Sequence, residues 1–112
     1  MILLSEYIAA IDGVNITPVM DAAKIELSSG YVCDMLSDVM GSAKSGQAWI
    51  TIMKHLNVIA VASMTGIPVI IFAKSSNPDQ AVIDKAVEEE ICLVQSSKTA
   101  FELSGILYQM LN

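Results

Sequence analysis

The side chains able to do chemistry are gathered between Gly30 and Ala62, GYVCDMLSDVMGSAKSGQAWITIMKHLNVIAVA. Asp34, Ser37 and Asp38 form one cluster. At helical spacing, Asp34 and Asp38 are i and i+4 and share a face. Paired carboxylates can move protons or hold a metal. A helix cap for Asp34 and a solvated face for Asp38 are the simpler readings, and no further metal ligand is close in sequence. Thr51 follows a run of strand-forming residues, and the elbow Lys54-His55-Leu56-Asn57 comes next. His55 is the only histidine. Its ordinary pKa near neutrality suits a ligand contact or a proton carrier, although a lone histidine at a helix start also serves as a plain hydrogen-bonding group. The candidate ligand-binding residues are therefore Asp34, Ser37, Thr51, His55 and Asn57, with no catalytic residue, metal set or cofactor motif among them.

The elements that must position these residues can be read from periodicity and punctuation. A first helix is expected from about Ser5, a candidate N-cap, with Ile8 and Ile11 inward and Asp12-Gly13 at its end. Val14 to Thr17 alternates like a short strand that Pro18 stops. Residues 20–25 are ambiguous. Ile25 to Cys33 reads as extended, interrupted at Ser28-Ser29-Gly30. Asp34 to Met40 reads as a short helix capped by Asp34, with Leu36, Val39 and Met40 inward and Gly41 ending it.

Beyond Lys44-Ser45-Gly46, a turn, strands and helices alternate. Ala48 to Ile52 is a buried strand. A helix spans about Asn57 to Met64, with Gly66 as left-handed C-cap and Pro68 soon after. Val69-Ile70-Ile71-Phe72 is a continuous apolar run, as in a central parallel strand buried on both faces. Asn77 and Pro78 would cap and open a helix running to about Glu89. Ile91 to Val94 is another buried strand. A last helix covers about Lys98 to Leu111, with Thr99 and Glu102 at capping-box spacing. This alternation predicts right-handed βαβ units: an α/β fold, three layers α/β/α, with a mostly parallel sheet.

In such a sheet ligands bind beyond the carboxyl ends of strands, beside helix N-termini. Three loops there carry Lys54, Lys74 and Lys98, each beside small polar residues. Exposed amides and the positive end of a helix dipole favour anions, so a small anionic ligand such as a phosphorylated metabolite or nucleotide is one reading. Ordinary capping with solvated lysines is the simpler one. There is no Walker loop and no GxGxxG, and GSAKSG at Gly41 to Gly46 reads as a turn. Cys33 and Cys92 lack CxxC spacing and read as core residues.

Composition removes whole classes of function. The chain has 112 residues and 54% apolar content, above the usual range of about 45–50%. It reads as one domain, residues 1–112, with a sheet covered on both faces, an apolar subunit interface, or both. Twelve acids face six lysines, with no arginine. Nucleic-acid binding needs a basic surface and is not expected. The start lacks the basic region of a signal peptide. Gly66 and Pro68 break the longest apolar run, so no membrane span is expected. These features together predict a reduced, cytoplasmic protein. Glu88-Glu89-Glu90 stands at a helix end as a solvated face or a partner surface. The last helix is apolar beyond one stripe, with Phe101, Leu103, Ile106, Leu107, Tyr108, Met110 and Leu111. That surplus predicts a homodimer.

Gly30-Tyr31, the Asp34–Met40 stretch, Trp49-Ile50-Thr51 and the His55-x-Asn57 elbow together resemble the DRTGG domain family. The weaker part of the likeness runs over nearly the whole chain. Such domains accompany the catalytic parts of some phosphotransacetylases and form the N-terminal domain of HPr kinase/phosphorylase, sometimes beside CBS domains. Stand-alone members are associated with iron-only hydrogenase and redox-regulatory systems. The resemblance implies a non-catalytic regulatory module acting on a partner enzyme, hydrogenase-linked or kinase-linked. Around Leu27-Ser28-Ser29-Gly30 the name motif is gone except for Gly30, so no role of its arginine carries over. The expectation is a regulatory or ligand-sensing domain. The alternatives are an interaction subunit without a small ligand and, least supported by the residues, a small enzyme.

Overall fold

The computed structural model describes residues 1–112. Strand β1 (Ile2–Leu3) leads straight into helix α1 (Leu4–Ala10), followed by β2 (Val14–Asn15). A 3-10 turn at Ala22–Lys24 precedes β3 (Glu26–Leu27) and β4 (Ser29–Val32). Helix α2 (Leu36–Ser42), β5 (Gln47–Thr51), α3 (Asn57–Thr65), β6 (Val69–Phe72), α4 (Gln80–Glu88), β7 (Cys92–Gln95) and α5 (Ala100–Leu111) complete the chain.

The main sheet has the order β2-β7-β6-β5-β4. β4, β5, β6 and β7 are parallel, and β2 joins β7 antiparallel. β1 and β3 form a separate antiparallel pair. The expected α/β architecture with a mostly parallel sheet is present. β6 is the middle strand, and all four of its residues are buried, as its unbroken apolar run requires.

The four parallel strands follow one another across the sheet without reversal, so right-handed crossovers place their helices on one side. One core lies there, between the sheet and α2, α3 and α4, and includes Trp49, Val58, Phe72 and Leu93. The other lies beneath α1 and α5 and includes Tyr7, Ile50, Ile71 and Leu107. Alternation along β5 sends Trp49 to the first core and Ile50 to the second. No strand-order reversal opens a crevice between β4 and β7. The helix N-termini themselves are then what shapes the sheet's carboxyl end.

Several boundaries differ from the sequence reading for identifiable reasons. α1 starts at Leu4 rather than after Ser5, and the Glu6 carboxylate caps it by accepting from the Leu3 amide at 2.9 Å. Asp34 does not cap α2; Met35 precedes that helix without any side-chain cap. The helix also runs through Gly41 to Ser42, and Met40 is 39% exposed rather than turned inward. Asn77 and Pro78 lie before α4, whose cap is Asp79, accepting from the Val82 amide at 3.2 Å. Ile52 falls outside β5 and is half exposed. Two sequence readings match well. Gly66 ends α3 with φ +78°, and Thr99 with Glu102 forms the capping box of α5.

Buried polar side-chain atoms are all paired, as burial without a partner is costly. Thr17 stands in for a missing strand residue where Pro18 ends β2, accepting from the Leu93 amide at 2.9 Å. Ser96 donates to the Ile11 carbonyl at 2.8 Å, which ties α1 to the end of β7. No helix is long and apolar enough to cross a membrane.

Candidate functional site

The elbow between β5 and α3 is built by a buried hydroxyl. Thr51 ends β5 fully buried and donates to the Asp34 carboxylate at 2.6 Å. The same carboxylate oxygen accepts from the Ile52 amide at 3.0 Å, and the Thr51 hydroxyl accepts from the Met53 amide at 3.1 Å. Asp34 and Thr51 therefore stand together as expected, but they hold each other. Asp34 and Asp38 do not pair on a helical face. Asp34 precedes α2, and Asp38 accepts a hydrogen bond from the Tyr31 hydroxyl. That bond, above all, raises the Tyr31 phenol pKa.

Past Met53 the chain turns outward. The amides of Lys54, His55 and Leu56 donate to no main-chain carbonyl. α3 then begins at Asn57, and Leu56 before it provides no side-chain cap. α4 and α5 differ, because Asp79 and Thr99 cap them. A helix start with unsatisfied amides carries partial positive charge. Lys54 and His55 stand at that end and line a cavity of about 340 Å³ with Leu56, Asn77, Asp79, Ala81 and Val82. The cavity therefore sits between the starts of α3 and α4, beyond the carboxyl ends of β5 and β6. Its one carboxylate, Asp79, is already engaged in capping α4.

Among the candidates, His55 lines this cavity. Ser37 and Asn57 lie exposed in the first turns of α2 and α3, two helices that pack together. Neither lines the cavity. The three loop lysines are not brought to one place. Lys54 lines the cavity, whereas Lys74 and Lys98 are joined elsewhere by a main-chain bond of 2.9 Å. In the β6–α4 loop, Lys74 and Ser75 both adopt left-handed backbone, with φ 55° and 57°. Each such residue costs about 1–2 kcal/mol. The loop is fastened on both sides: the Ser76 hydroxyl donates to the Ile52 carbonyl at 2.9 Å, and the Gln95 amide to the Ser75 carbonyl at 3.0 Å. Its amides at Lys74, Ser75 and Ser76 are all spent on carbonyls, so this loop offers no anion cradle. Sequence reasoning missed Asn77 and Asp79 as cavity residues. A helix start at Asn77-Pro78 is legible in the sequence, but Asp79 as its cap is not, and the nearness of both to His55 depends on strand order.

A second cavity, of about 390 Å³, lies on the other face between β4 and α5. Ser29, Gly30 and Val32 form one wall, and Ser104, Leu107 and Tyr108 the other. Gly30 allows this close approach: a β-carbon there would stand 2.6 Å from Leu107 Cδ2. Ser28, Ser29 and Gly30 thus face a groove, and the glycine has a packing reason. No three or more His, Cys, Asp or Glu side chains gather into a metal-holding group.

No family model matches the sequence, and no curated protein matches it. Among solved structures, the chain is similar to the CBS and DRTGG domains of the regulatory region of Clostridium perfringens pyrophosphatase, complexed with its activator diadenosine tetraphosphate. The TM-score is 0.71 at 12% identity, covering 96% of this chain. The chain spans 46% of that structure's length. At this identity the likeness establishes a shared DRTGG/CBS-like fold.

Proposed function

We propose that this chain is a non-catalytic regulatory domain of the DRTGG type that senses a small anionic ligand, a nucleotide or phosphorylated metabolite, and acts on a partner enzyme. The observation that carries this reading is the β5–α3 elbow: three free amides, an uncapped helix start, Lys54 and His55 around one cavity. Phosphate oxygens would take the free amides and the Lys54 ammonium, while Leu56, Ala81 and Val82 offer an apolar wall to the rest of the ligand. Asp34 and Thr51 hold the elbow's shape, and Ser37 and Asn57 border it on the adjoining helices. The shared fold with a nucleotide-activated regulatory region supports the ligand class. A hydrogenase-linked or kinase-linked partner rests on the family resemblance alone, and a cytoplasmic setting on the two unpaired cysteines, Cys33 and Cys92.

Calorimetric and thermal-shift titration with diadenosine tetraphosphate, ATP, acetyl phosphate and inorganic phosphate tests the reading. A ligand at a hundred times its dissociation constant adds about 2.7 kcal/mol of stability. Lys54→Ala and His55→Ala should each weaken binding without lowering the melting temperature of the free protein. Absence of any saturable response would shift the weight to an interaction subunit. Two exposed aromatics on α5, Phe101 and Tyr108, favour that second reading, and Tyr108, which lines the groove beside β4, also supports a homodimer.

A further inference from the structure

The main sheet has two edges, and the sequence treats them differently. β2, at one edge, has only two residues and Pro18 soon after it. Short strands and proline blunt an edge against further pairing. β4, at the other edge, pairs only with β5 over Ser29–Val32. The Cys33 amide donates to Ile50 in β5. Alternation then turns the N–H and C=O of Gly30 and Val32 away from the sheet. Ser29-Gly30-Tyr31-Val32 contains no proline and no charge, and Val32 is 51% exposed. The groove between β4 and α5 opens beside this edge, and no side chain that lines it is charged.

We infer that a second copy of this chain pairs with β4, antiparallel about a two-fold axis, so that the two sheets join edge to edge. The inference rests on the proposed homodimer and says where it forms. Charge selects the occupant. With a net charge of −6, two copies repel through any face that sets carboxylates opposite one another. No side chain of β4 or of the groove lining is charged, and the one carboxylate bonded to β4, Asp38 on Tyr31, lies on the α2 side of the sheet, away from the groove. A basic partner would be drawn to the acidic surface elsewhere and would gain nothing here. Antiparallel pairing about a two-fold axis is self-complementary, since one strand supplies donors and acceptors in both directions. It also closes, because the edges left over are the two blunted β2 strands.

Light scattering and NMR hydrogen exchange on the whole chain, at low and high protein concentration, test this. A dimer is expected, with the Gly30 and Val32 amides slowed about tenfold or more as the dimer forms, as inclusion in a ladder does. Val32→Lys should give a monomer, and Phe101→Glu, outside the groove, should leave the dimer intact. A dimer in which those two amides still exchange fast, or one dissolved by Phe101→Glu but not by Val32→Lys, overturns the edge and leaves the homodimer standing. A monomer at every concentration overturns both. Ligand titration at the elbow is a separate readout, because Val32 lies on the opposite face of the sheet.

Discussion

Thr51 and Asp34, seventeen residues apart, meet through a 2.6 Å hydrogen bond at the carboxyl end of β5, where Asp34 also takes the Ile52 amide. A carboxylate on the rim thus holds a buried hydroxyl and the first turn out of the strand. Everything downstream to His55 starts from that junction.

Asp34→Ala should therefore destabilise the fold by about 1–3 kcal/mol, since the Thr51 hydroxyl and the Ile52 amide lose their acceptor. Asp34→Asn keeps an acceptor oxygen and should cost less. Urea denaturation compares the three proteins. Equal stability of Asp34→Ala and the parent would show that the junction contributes nothing.

Gly30→Ala places a β-carbon 2.6 Å from Leu107 Cδ2. Leu107 is buried and its Cδ2 must shift to make room, so overpacking should cost about 1 kcal/mol, the low end of the usual range. Trimming the opposing side chain in the double variant Gly30→Ala/Leu107→Val should recover part of the loss. Additive losses in the double-mutant cycle would place the strain somewhere other than this contact.

Tyr7 is buried and its hydroxyl donates to the Leu103 carbonyl at 2.8 Å, joining α1 to α5. Burial raises its phenol pKa far above the ordinary value. The unfolded chain releases that proton near pH 10 while the folded chain retains it, so the contribution is complete below about pH 10 and is lost as pH rises beyond it. Tyr7→Phe should cost about 1 kcal/mol at neutral pH. It should also flatten the alkaline fall in stability. An alkaline limb unchanged in Tyr7→Phe would exclude Tyr7 as its source.

The acid limb has an identifiable contributor. Glu102 accepts from the Thr99 amide at 3.0 Å and from its hydroxyl at 3.2 Å. The Thr99 amide first, then the hydroxyl and nearby Lys98, lower its pKa against a small opposing effect of burial. A depressed carboxylate stabilises the fold above its unfolded pKa, and the effect disappears as pH falls through the lower folded value. Glu102→Gln should make melting temperature less dependent on pH below about pH 4.3. Parallel melting curves for parent and variant across that window would refute the assignment.

What the sequence by itself determined is local. The unbroken apolar run of Val69–Phe72, Gly66 past the end of α3, and the spacing of Thr99 and Glu102 each act through neighbours a few residues away. Their outcomes are accordingly the ones read correctly. The α/β layering follows too, because buried strands alternating with helices have few ways to hide two apolar faces. Asp34 shows where this reasoning ends. A short carboxylate can cap its own helix or reach another strand, and parallel pairing of β4 with β5 brings the Thr51 hydroxyl and the Ile52 amide within its reach. His55 gains Asn77 and Asp79 as cavity neighbours only because β5 and β6 lie side by side. Gly30 and Val32 become an open edge only because β4 comes last in the sheet. Strand order and register are set by contacts between residues far apart in the chain. The site and the edge, unlike the elements, were therefore decided by the tertiary structure.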